Sequence, residues 1–370
     1  MGFYPLQSPH GCVKDSAVHN YWVDFDPNQA RISIDIAQAY LALRDAQARL
    51  RHYHGGIHWK RIGSGEYLYR TFDGSGAARS LGPRSPETEA IYTQFRSGKS
   101  SWSERQSTLR GQIEDLARLG RAVRINRVPA VVTAIVRVLG QSDLPPLTVL
   151  GTNALYAYEA IAGGTFATHL LATGDVDFLL DARQKLRVAM PVEGSPEPVS
   201  VLSMLRRADA TFQPLANQPF RAANARGYLV DLVTAPGALH SPTAAPISPG
   251  DLIPAEIHGL QWLLSSPRVT ATVIGTDGIP AQMIAPDPRA FSVYKLWMSG
   301  QPDREPIKKR RDELQALAVA SIVRRRLPQF PFDEASLQAF PGAIVATCWS
   351  RLVEQALPPE EHLASGVPGW

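Results

Sequence analysis

Leu150-Gly151-Thr152-Asn153-Ala154-Leu155 and, further on, Thr173-Gly174-Asp175-Val176-Asp177-Phe178-Leu179-Leu180 decide how this chain is read. The first passage closes a short β-type run, Leu147 to Leu150, turns at a glycine and starts an alanine-rich helix that Gly163-Gly164 ends. The second opens an apolar strand with two carboxylates two residues apart. On a strand, residues i and i+2 project from one face. Asp175 and Asp177 therefore point together, while Val176 and Phe178 point into the other layer. Neighbouring carboxylates repel unless a cation sits between them. Mg²⁺ takes oxygen ligands, typically one or two carboxylates plus substrate phosphates.

The spacing alone is unspecific. A chain of this composition carries roughly one such pair by chance, and Asp24-Phe25-Asp26 has it too. That pair precedes Pro27-Asn28 in an irregular segment and reads as a turn or helix start. A solvated strand edge is the alternative for Asp175 and Asp177. Context separates the two pairs. Free backbone N–H groups at a helix start favour phosphate, and a glycine lets a triphosphate approach the chain, so Gly151, Thr152 and Asn153 read as a phosphate cradle. An ordinary capped strand-to-helix turn is the alternative there. Downstream, Asp231 lies within Tyr228-Leu229-Val230-Asp231-Leu232-Val233. A carboxylate in such a run is costly unless it meets a cation or faces a cleft. On the face it shares with Leu229 and Val233 it can join the Asp pair from a neighbouring strand.

Away from this centre the chain turns helical on both sides. Ile36, Ala39, Tyr40, Leu43, Ala46 and Leu50 recur at helical spacing and predict a helix from Ile32 to about Tyr53. His58–Ile62 and Tyr67–Thr71 flank Gly63-Ser64-Gly65 and predict a β-hairpin. Ser85-Pro86 reads as a capped helix start, with a second long helix from Trp102 to Arg118 or beyond. Asp287-Pro288 begins another helix, and one more runs from about Pro306 to Arg326. The stretch from Ala235 to Pro249, rich in Pro, Ala and Ser, reads as a loop. The expected fold class is α+β: a small mixed sheet with flanking helices over 147–240, a mostly helical N-terminal region over 1–146 carrying the hairpin near 58–71, and a C-terminal helical domain over 250–370.

Bulk properties bound the function. The 370 residues are 44% hydrophobic and 19% charged, which is globular rather than disordered. A formal net charge of +4 and a pI near 9.1 suit a polyanionic ligand without requiring one. Two cysteines, Cys12 and Cys348, make no disulfide framework. The segment from Met1 to Pro5 lacks a basic-then-apolar signal pattern. The best apolar stretch, Val128 to Leu139, is short and carries Arg137, so no membrane span is expected and a cytoplasmic protein is the default.

Gly151-Thr152, then Asp175-x-Asp177, then a lone Asp231 in a later strand resembles the signature of the DNA polymerase β-type nucleotidyltransferase superfamily. The wording from Gly151 to Glu159 and from Thr173 to Asp181 is similar to a bacterial nucleotidyltransferase-like group, akin to the abortive-infection and toxin-type enzymes. The resemblance implies a polymerase β-type core in which Asp175 and Asp177 bind two Mg²⁺ (or Mn²⁺) ions and Asp231 binds one and helps activate the acceptor hydroxyl. It implies an NTP substrate, with tRNA or other RNA among the acceptors, and an antitoxin-like protein partner or self-association. It covers about residues 55–320. The separation of Gly151 from Asp175 is longer than in compact members but suits the toxin-like branch. The segment Phe291–Trp297 looks like the helix on which toxin-type members carry a lysine near the nucleotide phosphates, here Lys295; a surface lysine is the other reading. Lys308, Arg311, Asp312 and Gln315 share one helical face, similar to a basic-then-acidic helix of the family, or a solvated charge run.

No phosphate-loop lysine motif or His-Glu-x-x-His zinc motif is present. His52, His54 and His58 read as surface histidines before they read as a metal site. Trp59, Tyr67 and Tyr69 interleave with Lys60, Arg61 and Arg70, which suits either single-stranded nucleic acid or a half-buried hairpin with a polar face. Three functions stay open: nucleotidyl transfer to RNA, the same transfer to a small molecule or protein, and non-catalytic nucleotide or nucleic-acid binding.

Overall fold

Asp26 starts the first helix. Its carboxylate accepts from the backbone N–H groups of Asn28 and Gln29, and the Gln29 side chain accepts in return from the Asp26 N–H. This reciprocal cap sets α1 (Pro27–His52) several residues ahead of the expected Ile32 and makes Asp24-Phe25-Asp26 a helix-start feature. Ahead of it lies β1 (Trp22–Asp24). The computed structural model describes residues 21–72, 77–142, 144–181, 200–237, 250–333 and 335–354. Residues 1–20, Cys12 among them, and most of the segment from Ala235 to Pro249 expected to be a loop lie outside the described residues.

The expected hairpin is a three-stranded antiparallel sheet, β2 (Gly56–Ile62), β3 (Gly65–Thr71) and β4 (Ala78–Pro83). Ser85 caps the next helix with Pro86 at its first position, as the sequence suggests. That helix does not stop where a second was expected. α2 (Pro86–Ala122) runs unbroken for 37 residues. Gly98 sits within it because Tyr53 packs there, where a Cβ would strike the phenol ring. α1 and α2 lie antiparallel. Gln29 Nε2 donates to Val123 O at one end, and Lys99 Nζ donates to Gly55 O at the other. Ala39, Tyr40, Leu43, Leu109 and Ile113 form the seam between them. α3 (Ala130–Leu139) follows.

The central sheet begins at β5 (Thr148–Leu150). A 3₁₀ turn at Gly151–Ala154 leads into α4 (Leu155–Ala162), which Gly163 ends in the left-handed conformation. β6 (Gly164–Phe166), α5 (Thr168–Leu171), β7 (Asp175–Leu179), α6 (Val201–Ala208), β8 (Gln213–Leu215), β9 (Gln218–Ala223), β10 (Leu229–Thr234) and β11 (Ala255–Glu256) follow. Strand order is β5-β7-β10-β9-β8, with β11 continuing the edge of β10 that β9 leaves. β7 and β10 are parallel; β5, β9 and β8 run antiparallel to their neighbours. The sheet is mixed, as expected.

The C-terminal part is not purely helical. After α7 (Leu260–Ser265), a hairpin of β12 (Arg268–Ile274) and β13 (Pro280–Pro286) packs on α3 and α4. Its alternating Val-Thr-Ala-Thr-Val run is a strand pattern that the helical expectation passed over. α8 (Pro288–Ser299), capped by Asp287, packs along α9 (Pro306–Arg326), and α10 (Gly342–Trp349) runs into a π turn at Ser350–Glu354.

The sheet has two unlike faces. Val176, Phe178, Val230, Leu232 and Val149 point into the larger core, with α3, α4, β12 and β13. Leu150, Leu179 and Val233 point the other way, into a second cluster built with α7, α8, α9 and α10. Cys348 of α10 is buried in that cluster, its thiol against Val293 O. Along β7 this second face changes character: Leu179 is apolar and covered, whereas Asp177 and Asp175 keep part of their surface open.

Candidate active site

Strand register brings the acidic residues together. Leu150 of β5 lies opposite Asp177 of β7, Asp177 opposite Asp231 of β10, and Asp231 opposite Arg221 of β9. Residues directly opposed across a ladder share a face. Asp175, Asp177 and Asp231 therefore stand on one face of two parallel strands, at the end the C-terminal helices leave partly open. Asp175 also accepts from the Thr173 hydroxyl.

Gly151 is bound to this arrangement sterically. Its φ is +61°, a conformation that favours glycine, and a Cβ there would lie 2.7 Å from Asp177 Oδ2. What approaches the glycine is thus the Asp177 carboxylate. Thr152 and Asn153 are buried. Asn153 Nδ2 donates to Asp175 O (2.7 Å), and Thr152 Oγ1 accepts from Gln315 Nε2 (3.1 Å). Their side chains brace the turn: Asn153 fixes the start of β7, and Thr152 ties the turn to α9. Tyr228 adds a second brace, its hydroxyl donating to Asp175 O; burial pushes that phenol up.

The charges are strongly coupled. Burial, then the charges of Asp175 and Asp231, push Asp177 up to about 6, against the pull of Lys295 and Arg221. Arg221 holds Asp231 in a bidentate pair, Nε to Oδ1 and Nη2 to Oδ2, each 2.6 Å. The pair raises the guanidinium above its ordinary range. Such a fork fixes a carboxylate in plane as well as in place. Among the described residues, no group of three His, Cys, Asp or Glu side chains is arranged to hold a metal ion. The third carboxylate meets a fixed cation, Arg221, in the place where the sequence reading put a metal.

Lys295 departs from both of its readings. It is neither a surface lysine nor open to a ligand. It is 6% exposed, and its Nζ donates to Asp312 Oδ1 (2.6 Å), while Arg304 takes Asp312 Oδ2. Burial lowers its pKa and the Asp312 charge opposes that shift. It bears on Asp177 as a charge at a distance rather than as a contact. The face of α9 that could have been a solvated run is partly inward: Asp312 and Gln315 are fully buried. Lys308 is half-exposed and pairs with Glu305. Arg311 has a buried Nε with no partner.

The sequence reading missed Arg221, Arg304 and Tyr228. Arg221 had a signal. A carboxylate inside an apolar strand requires a cation, and the β9–β10 hairpin places position 221 across from 231.

Comparison with known proteins adds one finding. Residues 130–341, more than half of the chain, match the model of a nucleotidyltransferase family. The chain belongs to this family. No curated protein and no solved structure matches it. Family membership makes the chain a transferase and a nucleotide its substrate. The match runs from α3 to the residue before α10, and so includes β5, β7, β10 and the Gly151 turn. Divalent metals are typical of nucleotidyltransferases. Here the donor set of Asp175 and Asp177 is all oxygen, half-open and short of positive charge, which fits a hard divalent cation.

Proposed function

We propose that this nucleotidyltransferase moves a nucleoside monophosphate from an NTP to a hydroxyl of RNA, with Asp175, Asp177 and Asp231 as its catalytic carboxylates and Asp175 and Asp177 as the ligands of Mg²⁺ or Mn²⁺. The observation that carries the reading is the register of β7 and β10, which sets Asp177 beside Asp231 at the Gly151 turn. Two carboxylates on one half-open face, Asp175 and Asp177, with Asp177 pushed up by burial and by its acidic neighbours, are a poor structural element and a good cation site.

The acceptor oxygen would form a bond to the α-phosphorus as the bond from that phosphorus to the bridging oxygen breaks, releasing pyrophosphate. Asp231, held in plane by Arg221, would face the acceptor hydroxyl and take its proton. A divalent cation, when bound, supplies charge that offsets the phosphates and lowers the hydroxyl pKa. Thr152 and Asn153 would act through the turn they brace, presenting backbone N–H groups to the phosphates. Lys295, anchored by Asp312, would contribute a fixed positive field. Positioning and field supply most of the rate in such reactions.

Incubation with each α-labelled NTP and total RNA tests this. Label transfer should depend on a divalent cation, and Asp177→Asn should reduce it at least about 100-fold with the fold intact. Unchanged transfer by that variant would remove the assignment.

A further inference from the structure

The superfamily resemblance implies two cations at the centre, one of them on Asp231. The surroundings of Asp231 leave little place for it. β9 and β10 run antiparallel, and their register sets Arg221 directly across from Asp231. Both carboxylate oxygens are engaged: Arg221 Nε donates to Oδ1 and Nη2 to Oδ2, each at 2.6 Å. The guanidinium is held on its other side as well. Nη1 donates to Gln218 Oε1 (2.9 Å), and the group stands 5.4 Å from the centre of the Phe220 ring. Its position is therefore set by the fork and by a third hydrogen bond. Burial also separates the three acids. Asp231 is 6% exposed, whereas Asp175 and Asp177 are half-buried. Mg²⁺ dehydrates reluctantly and usually keeps several waters. It needs open room of the kind that Asp175 and Asp177 have and Asp231 lacks.

We propose that Arg221 stands in for the second cation, so that the centre binds one divalent cation, on Asp175 and Asp177, and Asp231 stays with the guanidinium. Charge supports this. Ionised, the three carboxylates and Arg221 leave two negative charges, which a single divalent cation neutralises. A second divalent cation on Asp231 would stand beside a guanidinium and be repelled by it. Arg221 also acts on the whole row: it opposes the upward push on Asp177, and it feels the charges of Asp175 and Asp177 as well as that of Asp231. The inference rests on the carboxylate site proposed above, and the Asp175→Asn arm of its test separates the two.

Mn²⁺ binding to the full chain tests it, by equilibrium dialysis and electron paramagnetic resonance. Both are run with and without the α,β-methylene analogues of the four NTPs, which cannot release pyrophosphate. Two Mn²⁺ ions about 3.5–4 Å apart give the spectrum of a coupled pair, and a lone ion does not. The wild type should hold one ion per chain and show no coupled pair. Arg221→Met removes the charge and keeps an apolar stem. It should take a second ion and show the coupled pair, and added Mn²⁺ should raise its melting temperature more than that of the wild type. Arg221→Met combined with Asp231→Leu should return to one ion. Asp175→Asn should weaken binding at least about tenfold. A coupled pair in the wild type would overturn the proposal, as would a folded Arg221→Met that holds one ion. If that variant does not fold, the wild-type spectrum decides. A wild-type pair that Asp175→Asn abolishes removes the inference and leaves the carboxylate site standing. Wild-type binding that Asp175→Asn does not change, or no binding, removes both.

Discussion

At the scale of single residues, the carboxylate row makes opposite demands on its members. Asp177 is pushed up to about 6, above the ordinary value near 4. A raised carboxylate contributes stability that is complete below its unfolded value and lost as pH rises through its folded one. Metal-free Asp177→Asn should therefore be more stable than the wild type at pH 8, by about 2 kcal/mol once its partial exposure is discounted. The gain should vanish near pH 4, and thermal melts at the two pH values check it. Arg221 behaves in reverse. Removing it as Arg221→Met leaves Asp231 buried and unpaired, which should cost about 2–3 kcal/mol by urea unfolding. Adding Asp231→Leu should recover part of that loss, because the orphaned charge goes with it. The sequence pointed to Asp175, Asp177 and Asp231 because a strand's alternation is local and readable. It did not show Arg221, Arg304 or the Asp312 partner of Lys295, since each of those contacts depends on which strands or helices end up adjacent.

At the scale of elements, the Gly151 turn links the two halves of the site. Gly151→Ala forces a side chain into a left-handed backbone and into the Asp177 carboxylate. The backbone alone should cost about 1–2 kcal/mol, and transfer should fall by at least about 100-fold with only a modest change in melting temperature. A variant with normal transfer would show that Asp177 has room elsewhere. The α8–α9 pair is the second link. Lys295 and Arg304 close on Asp312, and Gln315 reaches Thr152 and Leu170. Helix starts were legible where a cap stood in the sequence, at Ser85 and at Asp287. The span of α2 was not, because its interior glycine at 98 resembles a break until Tyr53 is seen lying against it. The β12–β13 hairpin was readable in the alternation from Val269 to Val273, but the helical segments that follow it set the expectation for the whole C-terminal part.

For the molecule as a whole, β7 and β10 occupy the middle of the mixed sheet and are packed on both faces by separate clusters. Their amides should exchange most slowly with deuterium, and those of β2–β4, which pack mainly on α2, should exchange faster by orders of magnitude. Equal protection would place β2–β4 and the central sheet in one cooperative unit. Cys348 sits where this division can be followed. Its thiol is buried under the C-terminal helices and pushed up to about 11 by that burial. It lies in the same cluster as Leu179, next along β7 from the acidic pair. In a background where Cys12 is serine, the rate at which a thiol reagent modifies Cys348 becomes a clock for how often that helical cover lifts, with no label added to the chain.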